Sequence, residues 1–194
     1  KDDAVTIGAV TGGGAETNVL AQGAKIANDG ITAITITDAE FNTFIGANTS
    51  SPFKDASVTL GNVTGNQGTV VTNIAKVVNG GITAISLNAT QASSVITSVA
   101  LSTGSLTVSS AITSGQADFV TNVGKIANNG FTGITLTETQ FNTLVGSSLA
   151  KLAADAVTMG EAVSVTSKAN VLLQGAKIAD GGITSITITA AELN

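Results

Sequence analysis

The sequence predicts an α/β protein, and more specifically a parallel α/β solenoid of four repeats of about fifty residues with the order strand-helix-strand-helix. Three observations support this fold: near-identical internal copies, helix-capping patterns at one place in each copy, and strands that alternate in polarity. The clearest copies are "NVLAQGAKIANDGITAITIT" at 18–37 and "NVLLQGAKIADGGITSITIT" at 170–189, which share sixteen of twenty positions. Because Thr, Asn and Gly favour helices poorly, an all-β parallel solenoid is the alternative.

The repeat period is set by a lysine that recurs at intervals of 51, 49 and 52 residues. The four copies of this residue are Lys25, Lys76, Lys125 and Lys177. A strand pattern begins six residues after each, at Ile31, Ile82, Phe131 and Ile183, and a second strand-like run begins at Val5, Val58, Leu106 and Val157. These positions predict one array over 1–194, with repeats at 1–53, 54–103, 104–153 and a truncated 154–194.

Each predicted strand has one apolar and one polar face. In "ITAITIT", Ile34 and Ile36 point to one face of the strand while Thr35 and Thr37 point to the other. We therefore expect one face to be buried and the other to be exposed to solvent. Because helices link successive strands, the strands must run parallel with right-handed crossovers.

A helix start follows each of these strands. The capping-box spacing is present at Thr37 with Glu40, Thr137 with Gln140 and Thr189 with Glu192, and a weaker version is present at Asn88 with Gln91. Apolar residues then follow at helical spacing, namely Phe41, Phe44 and Ile45 in the first repeat and Phe141, Leu144 and Val145 in the third.

A second helix is predicted before each repeated lysine. We expect it to end in the Gly-containing turn that follows, since Asn, Asp and Gly tolerate the left-handed conformation of a helix cap. These turns are Asn28-Asp29-Gly30, Asn79-Gly80-Gly81, Asn128-Asn129-Gly130 and Asp180-Gly181-Gly182. The four lysines are then solvated side chains near helix C-termini, where a cation is favoured.

The composition excludes much chemistry. The chain has no Arg, His, Cys, Trp or Tyr, which removes the usual ligands of zinc, copper and haem and the common activated nucleophile pairs. Its net charge of -5 argues against nucleic acid as a partner. No apolar run is long enough to span a membrane. We therefore predict a non-enzyme and assign no catalytic, cofactor-binding or metal-binding residue, and no cofactor.

Four patterns resemble sites and favour plainer interpretations. Gly12, Gly13 and Gly14, with Asp38 after the next strand, imitate a dinucleotide-binding unit, but the spacing is not GxGxxG and the other copies lack the triplet. Asp3, Asp55 and Asp155 offer too few carboxylates for calcium and are interpreted as solvated turns. The glycosylation sequons at Asn48, Asn62 and Asn88 are expected by chance in so Asn- and Thr-rich a chain. The Thr rows at Thr35 and Thr37, Thr135 and Thr137, and Thr187 and Thr189 resemble an ice-binding surface.

The helix end "GAKIANDG", the strand "ITAITIT" and the helix start "DAEFN" resemble repeats of large secreted bacterial surface proteins. These are adhesins, S-layer-like proteins and biofilm proteins, many of them exported by type I secretion. The resemblance implies an extracellular or cell-surface structural and adhesive role in a biofilm matrix or filament. The calcium-binding nonapeptide GGxGxD of one such group is absent, so calcium dependence does not carry over. An ice-binding or carbohydrate-binding solenoid with Thr-rich strand faces is the alternative, and a nucleotide-binding enzyme is a more remote one.

The expected partner is more of the same repeat. The chain starts at Lys1-Asp2-Asp3, just before a strand, without Met or a signal peptide, and stops at Leu193-Asn194 inside a helix. An uncapped solenoid exposes a sheet edge and an apolar layer. We therefore expect either a slice of a longer repeat protein or a subunit that polymerises head to tail, with surface glycans left open as a further partner.

Overall fold

The computed structural model describes residues 2–47, 51–147, 149–164 and 167–194, and shows a mixed α/β chain with three parallel sheets. The strands are β1 Gly8–Val10, β2 Ile31–Thr35, β3 Val58–Thr59, β4 Gly61–Val63, β5 Ile82–Leu87, β6 Leu106–Val108, β7 Ile126–Phe131, β8 Ile134–Leu136, β9 Val157–Met159 and β10 Ile178–Ile183. The helices are α1 Ala15–Ala21, α2 Asp38–Ala47, α3 Gln67–Thr72, α4 Ala89–Val95, α5 Gln116–Thr121, α6 Glu138–Ser147, α7 Lys168–Leu173 and α8 Ala190–Leu193. The α/β class is confirmed, since helices occupy the segments that an all-β solenoid would fill with strands.

The chain divides into two compact units, and the first contains residues 1–86 and 98–105. In this unit β1, β2 and β3 form a sheet in that order, and β4 pairs with β5. One row of paired residues runs from Val10 to Ile34, Val58 and Val77, all of them buried. Each pairing in this row joins two strand segments that are separated in the sequence by about one helix.

The second unit contains residues 87–97 and 106–194. Here β6 pairs with β7, and a separate sheet has the order β10-β9-β8. A buried row of paired residues runs from Ile112 to Ile134, Val157 and Ile178, as in the first unit. All strand pairings given for the described residues of both units are parallel, as the sequence predicts.

The predicted two-faced strands are confirmed. Ile34 and Ile36 are 3% and 4% exposed, while Thr35 and Thr37 lie on the exposed face. Aromatic rings fill the space between strand and helix: Phe44 of α2 lies 5.0 Å from Phe53, centroid to centroid. In the second unit Phe119 of α5 meets Phe131 of β7 edge to face at 6.1 Å.

All four capping boxes form at the predicted residues. The Thr37 amide donates to the Glu40 carboxylate at 2.9 Å, and the Glu40 amide donates to the Thr37 hydroxyl at 3.3 Å. Reciprocal bonds join Thr137 with Gln140, Asn88 with Gln91, and Thr189 with Glu192. These local bonds fix where α2, α4, α6 and α8 begin.

The predicted C-terminal ends of the other helices are wrong. Helix α1 ends at Ala21, a 3-10 turn over Gly23–Lys25 follows, and Ile26 is already extended and paired with Val5. Asn28-Asp29-Gly30 is therefore a turn between two paired segments and not a helix cap. The left-handed conformation was correctly placed, since Asp29 has φ 57. The helix stops early because Ile26 pairs with Val5, and this pairing requires an extended backbone at Ile26.

Candidate functional site

A left-handed residue marks a period half as long as the fifty-residue repeat. It recurs at intervals of 24 to 27 residues, with φ between 56 and 73, at Asp3, Asp29, Ala56, Gly80, Gly104, Asn129, Asp155 and Gly181. We call each such interval a half-repeat, and we call the pairing between two consecutive half-repeats a junction. Apolar residues lie three before and two after the left-handed position, as in 26–31, 53–58, 77–82, 101–106, 126–131, 152–157 and 178–183.

This turn makes its outward backbone bond to the next half-repeat. The Gly80 amide donates to the Val99 carbonyl at 2.8 Å, and the Asp155 amide donates to the Ala176 carbonyl at 3.1 Å. In four of these turns the residue after the left-handed one is a glycine with little room beside it, namely Gly30, Gly81, Gly130 and Gly182. At Gly30 a Cβ would lie 2.7 Å from the Ala27 carbonyl oxygen. The turn thus positions the amide of its left-handed residue to donate a hydrogen bond to the next half-repeat.

The repeated lysines also belong to the junctions, so the prediction of solvated side chains is wrong for two of them. Lys76 Nζ donates to the Phe53 carbonyl at 3.1 Å and lies 2.8 Å from the Asp55 carboxylate. Lys177 Nζ donates to the Leu152 carbonyl at 2.7 Å. Both carbonyls belong to the preceding half-repeat. Lys25, in contrast, is exposed, and its Nζ lies 3.9 Å from the carboxylate of the exposed Asp2.

Two buried carboxylates accept backbone hydrogen bonds from the next half-repeat. Asp38 accepts hydrogen bonds from the Thr64 and Gly65 amides at 2.9 and 2.6 Å. Glu138, at the same place in the third repeat, accepts from the amides of Ser164 and Ser167 at 3.1 and 2.9 Å. Bonds to an ionised acceptor are about twice as strong as neutral ones, so each acid ties the next loop to its own helix.

Sequence reasoning did not identify these acids as junction residues. The available signal was an acid placed directly after the capping Thr in the first and third repeats. The second and fourth repeats have Ala89 and Ala190 at this place. The Ala89 amide donates instead to the Ser110 hydroxyl at 2.8 Å.

The residues that resemble a dinucleotide-binding site already bind other groups of the chain. Gly12, Gly13 and Gly14 all have φ between 68 and 76, and the Gly12 amide donates to the Glu16 carboxylate at 2.7 Å. Asp38, which would have to bind a ribose hydroxyl, is bonded to the next loop. The geometry supports a turn more than a phosphate cradle.

The candidate calcium and glycosylation residues are spread out. Asp3 and Asp155 occupy left-handed turn positions, and Asp55 is paired with Lys76. Across the described ranges, no three His, Cys, Asp or Glu side chains gather at a metal-binding distance. Asn62 accepts a bond from Thr83, Asn88 caps α4, and the sequon at Asn48 lies outside the described residues.

The exposed sheet face carries more threonine than the sequence reading recognised. A Thr follows the second apolar residue of every turn, at Thr6, Thr32, Thr59, Thr83, Thr107, Thr132, Thr158 and Thr184. Two of them lie in register with a threonine of the predicted rows, Thr35 with Thr59 and Thr135 with Thr158. The Thr37 hydroxyl, however, is bonded within its capping box. Alignment at the shorter period would have found this column.

One groove of about 420 Å³ lies in the first unit between α1 and α2. It is lined by Thr17, Leu20, Ala21, Ala39, Glu40, Thr43 and Phe44. The lining is mostly apolar, and its carboxylate, Glu40, already serves the capping box of α2.

No protein-family model, curated protein or solved structure matches this chain. None of the helices in the described part of the chain has the length and hydropathy needed to cross a membrane.

Proposed function

We propose that this chain is an extracellular structural and adhesive repeat protein of a bacterial surface, biofilm matrix or filament. In this proposal its half-repeats stack as a parallel α/β solenoid of four repeats and the chain is not an enzyme. The observation that carries the proposal is that charged side chains bind the backbone of a neighbouring half-repeat. Asp38, Lys76, Glu138 and Lys177 all bind backbone groups of a neighbouring half-repeat.

This use of charge favours a structural role because catalytic side chains need to be free to meet a substrate. A chain with only 11% charged residues has few such groups. The resemblance to secreted bacterial surface repeats supports the extracellular location. We infer that the repeated sequence is kept similar because every copy must fit the same kind of neighbour.

The test is a pair of deletions that both leave an intact turn. Removing 54–101 joins Phe53 to Ser102 and takes out one whole repeat, while removing 54–77 joins Phe53 to Val78 and takes out one half-repeat. If repeats stack, the first deletion should melt cooperatively with unchanged ellipticity per residue, and the second should not. A chain that instead folds as a single non-repeating domain should lose its cooperative melt in both.

Localisation needs its own experiment. Antiserum against the chain should label the outer surface or the extracellular matrix of intact source cells. Labelling that appears only after the cells are opened would contradict the extracellular role.

A carbohydrate-binding or ice-binding surface is the second candidate, and the Thr column favours it. Its eight members recur once per half-repeat, and six of them are exposed. Where two threonines are paired across neighbouring parallel strands, as Thr35 with Thr59 and Thr135 with Thr158, they are separated by the strand spacing of about 4.8 Å. A glycan array and a thermal-hysteresis measurement would test this candidate, with Thr59→Val and Thr158→Val as the variants.

A further inference from the structure

A small polar pocket lies in the second unit, directly beyond the ends of two paired strands. Its volume is about 190 Å³. Strands β8 and β9 end at Leu136 and Met159, which pair with each other, and the Gly160 amide donates to the Leu136 carbonyl at 2.9 Å. Ligands of α/β proteins commonly bind outside the carboxyl ends of parallel strands, which is where this pocket lies. Its polar side chains come from three consecutive half-repeats and are Gln116, Thr135, Thr137, Gln140 and Glu161.

Two of these side chains use one polar atom in the fold and leave the other one available. Gln140 accepts the Thr137 amide with its Oε1 at 3.0 Å, and its NH2 group donates to no described residue. Glu161 accepts the Glu138 amide with its Oε1 at 2.8 Å, and its Oε2 accepts from no described residue. The fold thus holds each side chain through one atom, and one donor group and one acceptor remain for a ligand.

The side chains of Gln116 and Thr135 are not used by the described part of the fold at all. Both residues are half-buried. Gln116 is the first residue of α5, and Thr135 is a strand residue in register with Thr158. No described residue forms a hydrogen bond with either side chain. The Gln116 amide and the Thr135 hydroxyl therefore both have donors and acceptors available.

The fourth repeat has an ion pair at the corresponding place. Lys168 stands nine residues before the repeated lysine, as Gln116 does. Glu192 stands fifteen residues after it, as Gln140 does, and its carboxylate lies 3.2 Å from the Lys168 Nζ. Side chains at these two positions can therefore bond to each other, and the repeat does not require a pocket here. The third repeat has two uncharged amides instead, and both of them line the pocket.

The mixture of donors and acceptors indicates the chemistry of the ligand. A metal ion would need oxygen acceptors alone, and a phosphate or carboxylate would need donors alone. The pocket combines an NH2 donor, a carboxylate oxygen and a complete amide, and hydroxyl groups can bond to all three because each one both donates and accepts. The volume lies below the range of about 300–1,000 Å³ that drug-sized ligands occupy. One ring that carries several hydroxyl groups therefore fits the pocket best.

We propose that this pocket binds one neutral sugar residue, either free or as part of a surface glycan. Glu161 Oε2 accepts from one ring hydroxyl, the Gln140 NH2 group donates to another, and the Gln116 amide bonds to a third. No aromatic ring lines the pocket, so stacking does not contribute and we expect a dissociation constant in the millimolar range. The proposal rests on the adhesive part of the proposed function, for which it specifies a ligand class and a place.

An NMR titration of the whole chain tests the pocket, with the methyl glycosides of glucose, galactose and mannose as probes and glucuronate as the anionic comparison. Gln116→Ala removes an amide that no described residue uses, and Gln22→Ala, at an exposed glutamine of the first unit, is the matched control. The double variant Gln116→Lys/Gln140→Glu introduces the ion pair of the fourth repeat. It keeps the helix cap, since Glu192 caps α8 as Gln140 caps α6. The same chains are applied to a glycan array that carries these sugars as terminal residues.

We expect at least one neutral glycoside to shift the side-chain NH2 signals of Gln116 and Gln140 in a saturable way. Glucuronate should shift them less, since the Glu161 carboxylate repels an anion. Both pocket variants should weaken the binding at least tenfold, and Gln22→Ala should leave it unchanged. Saturation by the glycoside without array binding assigns a free sugar as the ligand, whereas array binding that the glycoside competes away assigns a surface glycan.

Two results would overturn the pocket. One is a folded chain in which none of the three glycosides shifts these signals in a saturable way, and the other is a double variant that binds as tightly as the natural chain. Neither result bears on the stacking of the half-repeats, which the two deletions test without any sugar.

Discussion

Two identical tetrapeptides should respond in opposite ways to the same substitution. Gln-Gly-Ala-Lys occurs at 22–25 and at 174–177. A Cβ on Gly23 would overlap the Cε2 atom of the Phe44 ring and lie 2.6 Å from its Cζ atom. A Cβ on Gly175 would meet no atom within 4 Å. Neither glycine has a positive φ, so backbone strain does not enter the comparison.

The magnitudes follow from these distances. Gly23→Ala forces the Phe44 ring to move within a packed core, and such overpacking costs about 1–3 kcal/mol. For a chain of this size, each kcal/mol lowers Tm by about 2–4 °C. Gly175→Ala adds no clash and reduces the entropy of the unfolded chain, which stabilises by about 0.4–1 kcal/mol.

A compensating substitution separates the clash from other effects. In the third repeat Val123 stands in place of Gly23, and the helix opposite carries Leu144 in place of Phe44. Phe44→Leu should therefore relieve Gly23→Ala, with a coupling energy of about 1 kcal/mol or more in the double-mutant cycle. Urea unfolding and thermal melts of the four chains, with Gly175→Ala as the matched control, measure it. Equal Tm shifts for the two glycine variants, or strictly additive effects with Phe44→Leu, would refute the reasoning.

Three further predictions concern charged groups. Asp38→Ala should lower the free energy of unfolding by about 1–3 kcal/mol, because it leaves the partly buried amides of Thr64 and Gly65 without their acceptor, and Asp38→Asn should cost less. Lys76→Met should destabilise by about 1–2 kcal/mol in urea melts, whereas Lys25→Met, at an exposed site, should change stability by less than about 0.5 kcal/mol. The pKa of Glu192 is lowered by the Thr189 amide, then by its hydroxyl and by Lys168, so the stability it adds is present above the ordinary glutamate pKa and is lost as the pH falls through the lowered value. Thr189→Ala should raise this pKa in an NMR titration because it removes the hydroxyl and keeps the amide; an unchanged value would contradict the contribution assigned to the hydroxyl.

Local patterns were the part of this fold that could be read from the sequence. The capping boxes at Thr37 and Thr189 depend on residues three apart, and the alternation at Ile34 and Ile36 depends on residues two apart. The parallel direction followed from the length of the connections alone. Each of these predictions needed no knowledge of the neighbouring half-repeat.

The contacts across the junctions could not be predicted in the same way. Asp38 meets amides 26 and 27 residues later, and Lys76 meets a carbonyl 23 residues earlier. Nothing local distinguishes such side chains from solvated ones. The helix ends failed for the same reason, since Ile26 is extended because of its pairing with Val5 and not because of its neighbours in the chain.

The direction of the junction hydrogen bonds determines how the protein responds to force. Within each unit these bonds run from strand to strand, across the strands and not along them. A pull that peels one half-repeat from the next therefore opens the bonds one after another, at lower force than sliding the strands past each other would require. Each half-repeat that opens releases 24 to 27 residues, which is about 80–95 Å of extended chain. A chain that opens in this way lengthens in steps under tension, one half-repeat at a time.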